Sequence, residues 1–211
     1  MNLRTLAVLL LVFISAAVPL TAGGKSEPAG IGPEAAGPGT ASYEPLDGDS
    51  RAEIQSILTE LGIQTFRGSI DAVDFSLDRL SGGTTSLGDL AGNFVFLNFW
   101  ATWCPPCRAE MPSMEVLYQE LKARPFRMIA VNINEDQKTV QGFVDEFGYT
   151  YPILLDRDGN VSTNYGVRGI PTSFFIGPDG TVLGMLVGTR LWDGEDVMTG
   201  MKRIMEIVAS R

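Results

Sequence analysis

Residues 93–107, NFVFLNFWATWCPPC, run from an almost unbroken apolar stretch straight into both cysteines of this 211-residue chain. Asn93 to Trp100 is apolar at both alternating registers, as a strand covered on both faces must be. Pro105 and Pro106 then follow Cys104, and proline is tolerated in a first helical turn, where the missing N–H has no partner to lose. The stretch therefore predicts a buried central strand, a short turn, and a helix over 105–123 with Cys104 at its N-cap. A reactive pair at the carboxyl end of a central strand is where open α/β sheets present their chemistry.

The remaining elements fit around that unit. Ser50 and Glu53 match a capping box, and Ile54, Ile57, Leu58 and Leu61 share one helical face that Gly62 stops. Residues 50–66 are thus expected as an N-terminal helix packed on a domain spanning 67–211. Short strands broken by Gly82-Gly83 come next, with Ser86 poised to cap a turn. Phe126 to Asn132 reads as a second buried strand, and 139–147 as a helix. Residues 151–160, YPILLDRDGN, read as a strand and a turn, 172–188 as a β-hairpin around Pro178-Asp179-Gly180, and 195–210 as a closing helix. The order β-α-β, α, β-hairpin, α predicts a three-layer α/β/α domain on a mixed central sheet.

The first 49 residues have a different character. Arg4 precedes a 13-residue apolar run, Leu6–Val18, with small residues at Ser15-Ala16-Ala17 and Thr21-Ala22. Residues 1–22 are therefore read as a cleaved export signal or, taking Thr5–Ala22, as an uncleaved membrane anchor. Residues 23–49 are rich in Gly, Pro and Ala and read as a flexible linker. Both readings of the leader place the bulk of the chain outside the cytoplasm (the periplasm or the outer face of the bacterial membrane), where disulfides persist.

Composition removes whole classes of chemistry. The chain has no histidine, which excludes His-based acid/base catalysis and His-ligated metal sites. Its net charge of −9 argues against nucleic acid or anionic lipid as a partner, leaving the membrane only as an anchoring surface. Two cysteines supply too few ligands for a structural zinc site. As a staple, a Cys-x-x-Cys loop is worth only about 2 kcal/mol in the chain-entropy account. Redox chemistry is what remains, with copper(I) binding on two thiolates as an alternative. At an N-cap, Cys104 faces free N–H groups and the positive helix end, which lowers its pKa and makes it the nucleophile; Cys107, one turn deeper, resolves the mixed disulfide. No cofactor is expected beyond the Cys104–Cys107 pair, and no metal. Pro105 and Pro106 remove two N–H donors, leaving chiefly that of Cys107, so thiolate stabilisation should be moderate and the couple reducing, well below the roughly −120 mV of a strong oxidant.

VFLNFWATWCPPCRAEMPSMEVLYQEL, FRMIAVNINED and the 38 residues from Tyr151 to Gly188 resemble the exported thioredoxin-like reductases of the TlpA/ResA type, a group placed with the AhpC/TSA-like redoxins. The resemblance covers about residues 70–209 and implies a thioredoxin fold and reduction of protein disulfides outside the cytoplasm, often in cytochrome c maturation. It also implies a membrane thiol-disulfide carrier of the DsbD type as electron donor. A monomer is expected. Carried onto this chain, Pro171 is the cis-proline facing the cysteines, flanked by Ile170 and Thr172, and Trp103, Pro105 and Pro106 form the substrate face. Trp100 either flanks the site or belongs to the core, and Pro112 would kink the helix. Cytosolic thioredoxins carry an acidic residue where this chain has Asn98, so that role must move or vanish here. Glu110, three residues after Cys107 and on the same helical face, resembles the acidic residue this exported family uses beside its cysteines and is expected to accept the Cys107 proton, with a surface carboxylate as the alternative. Peroxiredoxins share the fold, but their Pro-x-x-x-Thr-x-x-Cys pattern would need Pro at Leu97 and Thr at Ala101, so a thiol peroxidase is the less favoured function.

Overall fold

The apolar run is strand β4, Phe94–Trp100, with all seven residues buried. A computed structural model describes residues 45–210, so the leader at 1–22 and most of the linker lie outside the described residues. In chain order the elements are α1 (Gly48–Glu60), β1 (Gln64–Thr65), β2 (Ser76–Arg79), β3 (Thr84–Ser86), a 3₁₀ turn (Gly88–Leu90), β4, α2 (Pro105–Leu121) and β5 (Phe126–Ile133). They continue as α3 (Gln137–Phe147), β6 (Ile153–Asp156), α4 (Asn160–Asn164), β7 (Thr172–Ile176), β8 (Val182–Val187) and α5 (Glu195–Ala209). The strands form one sheet in the order β1-β8-β7-β4-β5-β6-β2-β3. β4 lies between parallel β5 and antiparallel β7, which sets Asn98 directly opposite Ser173 on one side and Ala130 on the other.

Alternation along β4 divides the core in two. Phe94, Phe96 and Trp100 face one side with Met128, Ala130 and Phe175, and there they meet α1, α2, α3 and α5. Val95, Leu97 and Phe99 face the other, covered by Phe75, Leu87, Leu90 and the half-buried Tyr165. The sheet is layered on both faces, but unequally: the longer helices share one face, while the 3₁₀ turn, α4 and the 66–75 segment cover the other. Each large apolar side chain so buried contributes about 1.5–3 kcal/mol. The α2 stripe of Cys107, Met111, Met114, Leu117 and Leu121 delivers that burial at helical spacing, and the helix continues through Pro112. Trp100 belongs to the core, fully buried with its ring 5.4 Å from that of Phe143.

Several boundaries differ from expectation for local reasons. The cap of α1 is Asp47, not Ser50: its carboxylate accepts both the N–H and the hydroxyl of Ser50. Glu53 instead pairs with Arg203 of α5. Leu46, placed in the linker by composition, is buried, and its N–H donates to Asp179. The helix expected over 50–66 ends at Glu60, and Gln64–Thr65 becomes an edge strand paired with Met185 and Gly184. Gly184 permits this, because a Cβ there would lie 2.9 Å from Ile63 and 3.1 Å from the Gln64 carbonyl. The turn expected after Asp156 continues into α4, since the buried Asp156 carboxylate accepts the N–H groups of Val161 and Ser162 and caps a short helix that has little apolar period. Among the described residues no helix is long and apolar enough to cross a membrane.

Candidate active site

β4 ends at Trp100, and the chain turns through Ala101–Trp103 before α2 begins. Cys104 is the N-cap of α2 and is disulfide-bonded to Cys107, with an S–S distance of 2.06 Å. Its sulfur accepts the Cys107 N–H at 3.2 Å, while Pro105 and Pro106, at the first two helical positions, offer none. Cys107 is fully buried; Cys104 keeps 3% of its surface. The turn is held from outside the motif. The Glu135 carboxylate accepts the Thr102 N–H (2.7 Å) and hydroxyl (2.5 Å), and also the side-chain amide of the buried Asn132 (2.7 Å).

The Ile170–Pro171 peptide bond is cis. It precedes β7, whose first residue, Thr172, pairs with Phe99, so the loop is carried alongside the cysteines. The Ile170 carbonyl oxygen lies 3.7 Å from Cys104 Sγ. In the disulfide that sulfur has no proton to donate, whereas in the reduced form its thiol can donate to this oxygen. Thr172 Oγ1 closes the loop on the Gly169 carbonyl. Trp103 is 64% exposed, and Pro105 and Pro106 are exposed beside it. Of the residues expected at the site, Cys104, Cys107, Ile170 and the two prolines of the motif therefore converge. Trp103 adjoins them on the solvent side.

Glu110 is not on the surface: it is completely buried on the inner face of α2. One oxygen accepts the Asn98 side-chain amide at 3.0 Å. The other accepts the backbone N–H of Arg190 at 3.1 Å and the Trp192 indole N–H at 3.3 Å. Burial pushes its pKa up from 4.5 to about 7, against the pull of these three donors. At i, i+3 on a helix, its side chain neighbours that of Cys107. A carboxyl that gains and loses its proton near neutrality, one turn below a buried thiol, is a competent proton acceptor.

The segment 189–192 completes the site, and no local motif announces it. Thr189 donates to the Pro106 carbonyl, the Arg190 backbone N–H and the Trp192 indole N–H reach Glu110, and the Trp192 backbone N–H donates to Ser113 Oγ at 2.9 Å. These contacts join residues about eighty positions apart. An isolated tryptophan in TRLWDG was the only sequence signal for it.

Comparison with known proteins matches residues 70–185 to the AhpC/TSA family. A thiol-disulfide oxidoreductase ResA of Halalkalibacterium halodurans is 46% identical over 122 residues, which is 58% of this chain and 69% of that one. The thioredoxin-like protein YneN of Bacillus subtilis is 43% identical over 133 residues, covering 62% of this chain and 75% of its own. Among solved structures, a thiol:disulfide interchange protein DsbE from Chlorobium tepidum superposes with a TM-score of 0.60 at 33% identity, over 67% of this chain and 99% of that one. The cysteine pair at a helix N-terminus, the cis-proline beside it and these likenesses agree: the chain belongs to the AhpC/TSA family, as a thioredoxin-like thiol-disulfide oxidoreductase of the ResA/TlpA type.

Proposed function

We propose that the protein works in the reducing direction, on disulfides of exported proteins, with apocytochrome c as one substrate class. The observation that carries the direction is the N-cap: Cys104 Sγ faces one N–H donor, that of Cys107, because Pro105 and Pro106 have none. A thiolate with few donors is a less stabilised reduced form, and such a couple gives its electrons up readily. The nearby Ile170 carbonyl oxygen acts in the same sense, since it repels a thiolate and accepts from a thiol.

In the reduced protein the Cys104 thiolate attacks one sulfur of a substrate disulfide. The substrate S–S bond breaks, a mixed disulfide forms, and the first substrate thiolate leaves and takes a proton from water. Cys107 then gives its proton to Glu110, and its thiolate attacks Cys104 Sγ. The Cys104–Cys107 bond forms as the second substrate thiolate departs. Both electrons have passed to the substrate. A membrane dithiol carrier of the DsbD type returns the pair to the dithiol. Trp103, Pro105 and Pro106 form the contact surface, and the cis bond at Pro171 presents the Ile170 backbone and Thr172 to an extended substrate segment. The apolar leader supports action outside the cytoplasm, and the −9 charge speaks against nucleic acid.

Two measurements test this reading. The reduction potential, equilibrated against glutathione, is expected well below that of a strong oxidant; a value near about −120 mV overturns the direction. A Cys107→Ser variant expressed in the source cell is expected to hold exported cysteine proteins on Cys104. Capture of none, with insulin disulfides also untouched by the wild type, overturns the substrate class.

A further inference from the structure

The carboxyl of Glu110 has two unlike oxygens. Oε2 faces two N–H groups, those of Arg190 and the Trp192 indole, and neither can accept a proton. A proton on Glu110 therefore belongs on Oε1. That oxygen faces Asn98 Nδ2 at 3.0 Å, which is also a donor. The same Nδ2 donates to Ser173 Oγ at 2.9 Å, so both its hydrogens are used. Asn98 Oδ1, meanwhile, is buried and has no hydrogen-bond partner among the described residues. In this orientation the amide serves the ionised carboxylate and leaves its own acceptor idle.

We propose that Asn98, with Ser173, is a reversible hydrogen-bond partner that turns over with the proton on Glu110. With the carboxylate ionised, the two N–H bonds of Nδ2 point to Glu110 and Ser173. With the carboxyl protonated, the amide rotates by half a turn about its last side-chain bond. Oδ1 then accepts from Glu110 Oε1–H and from the Ser173 hydroxyl, which reverses from acceptor to donor. An amide oxygen has two lone pairs and a hydroxyl can serve either way, so each state keeps two bonds and idles one amide atom. Sheet register is what brings the pair together, because Asn98 on β4 and Ser173 on β7 are direct cross-strand partners. Both are 1% exposed, so the pair adjusts to the charge within the buried site.

The other charged or titratable groups around Glu110 do not offer that service. The Arg190 guanidinium is committed to the Leu61 carbonyl and to Asp196. Tyr151, buried before β6, has its phenol pushed up by burial first and then by the neighbouring charges of Tyr149, Glu115 and Glu110, so it stays neutral throughout. Cys104 and Cys107 are joined in this state. An aspartate at position 98 would add a second charge to the same dry site, whereas an asparagine adapts to either form of Glu110 without one. Asn98 and Ser173 are thus positioning residues that act through Glu110, and the inference rests on Glu110 as the proton acceptor for Cys107.

The test is joint X-ray and neutron diffraction on deuterated crystals of the disulfide form, well below and well above the Glu110 midpoint of about 7. Neutrons separate ND₂ from O. The expected result is Oδ1 toward Glu110 in acid and Nδ2 toward it in base; one orientation at both pH values overturns the inference. Asn98→Leu gives an independent reading by carboxyl ¹³C titration of Glu110. A fixed donor, once lost, raises the midpoint by about one to two pH units, whereas a partner lost from both states moves it by less than about half a unit. The larger shift overturns the inference. Activity separates the two ideas: an amide that turns in a protein whose Glu110→Gln variant resolves at the wild-type rate sinks the proton-acceptor role and leaves the pairing. A fixed amide with a slow Glu110→Gln sinks the pairing alone.

Discussion

Glu110 and Glu115 stand on the same helix, one and a half turns apart, and their carboxyls are driven in opposite directions. Glu110 points inward and is wholly buried, and desolvation carries it up to about 7 in spite of three donors. Glu115 is half-buried. Burial works upward on it too, but the Thr150 N–H and hydroxyl, with the Gln119 amide, outweigh that and hold it below the usual carboxylate range. Donor count alone does not separate them. What differs is how much water each has lost and whether its partners replace it. One carboxyl becomes an acid-base group near neutrality; the other becomes a clasp between α2 and the loop that leads from α3 to β6.

The largest expected consequence is a pH dependence of stability. Glu110 is an acid whose folded pKa is raised, so the folded state holds the proton more tightly than the unfolded chain. Its contribution to stability is then full below about 4.5 and is lost as pH rises through about 7, by about 3 kcal/mol in all. Urea unfolding of the disulfide form across that window should show the decline, and Glu110→Gln should remove it. Glu115 has the opposite sign and contributes stability that is lost as pH falls. A Glu110→Gln protein with an unchanged slope would break the contrast.

Next in size is the reaction itself. Loss of a positioned proton acceptor slows the step it serves by about a hundredfold or more, so stopped-flow resolution of a mixed disulfide on Cys104 should slow to that extent in Glu110→Gln and lose its pH response. Glu115→Gln should leave both within about twofold, since it touches neither cysteine. A smaller effect attaches to Trp192. Trp192→Phe removes one donor from the ionised carboxyl, and carboxyl ¹³C titration should place the Glu110 midpoint about one pH unit higher. Smallest is Glu115→Ala, which unties Thr150 at a cost of about 1 kcal/mol in urea unfolding and leaves the reduction potential where it was.

Much of the fold was legible because it rests on local periodicity. The apolar run of β4, the spaced stripe of α2 and the hairpin around Pro178-Asp179-Gly180 each declare themselves within ten or twenty residues. The capping box read at Ser50 and Glu53 was overridden by tertiary contacts: the fold pairs Glu53 with Arg203 and leaves the capping to Asp47. The α4 helix escaped notice because its stability comes from one buried carboxylate on β6 rather than from a repeating pattern.

The site divides along the same line. By itself the sequence placed Cys104, Cys107, the two prolines that thin out the N–H donors, and Glu110 one turn on within a single helical stretch, whose geometry follows from bond lengths and a 3.6-residue turn; the roles proposed for them rest on that placement and on the family resemblance. Tertiary structure alone decided that Glu110 is dry, that Arg190 and Trp192 return some eighty residues later to hold it, that Glu135 clasps the turn before Cys104, and that Ser173 stands opposite Asn98. Spacing along a helix can say which groups are neighbours. Desolvation, which sets the pKa, depends on everything packed around them.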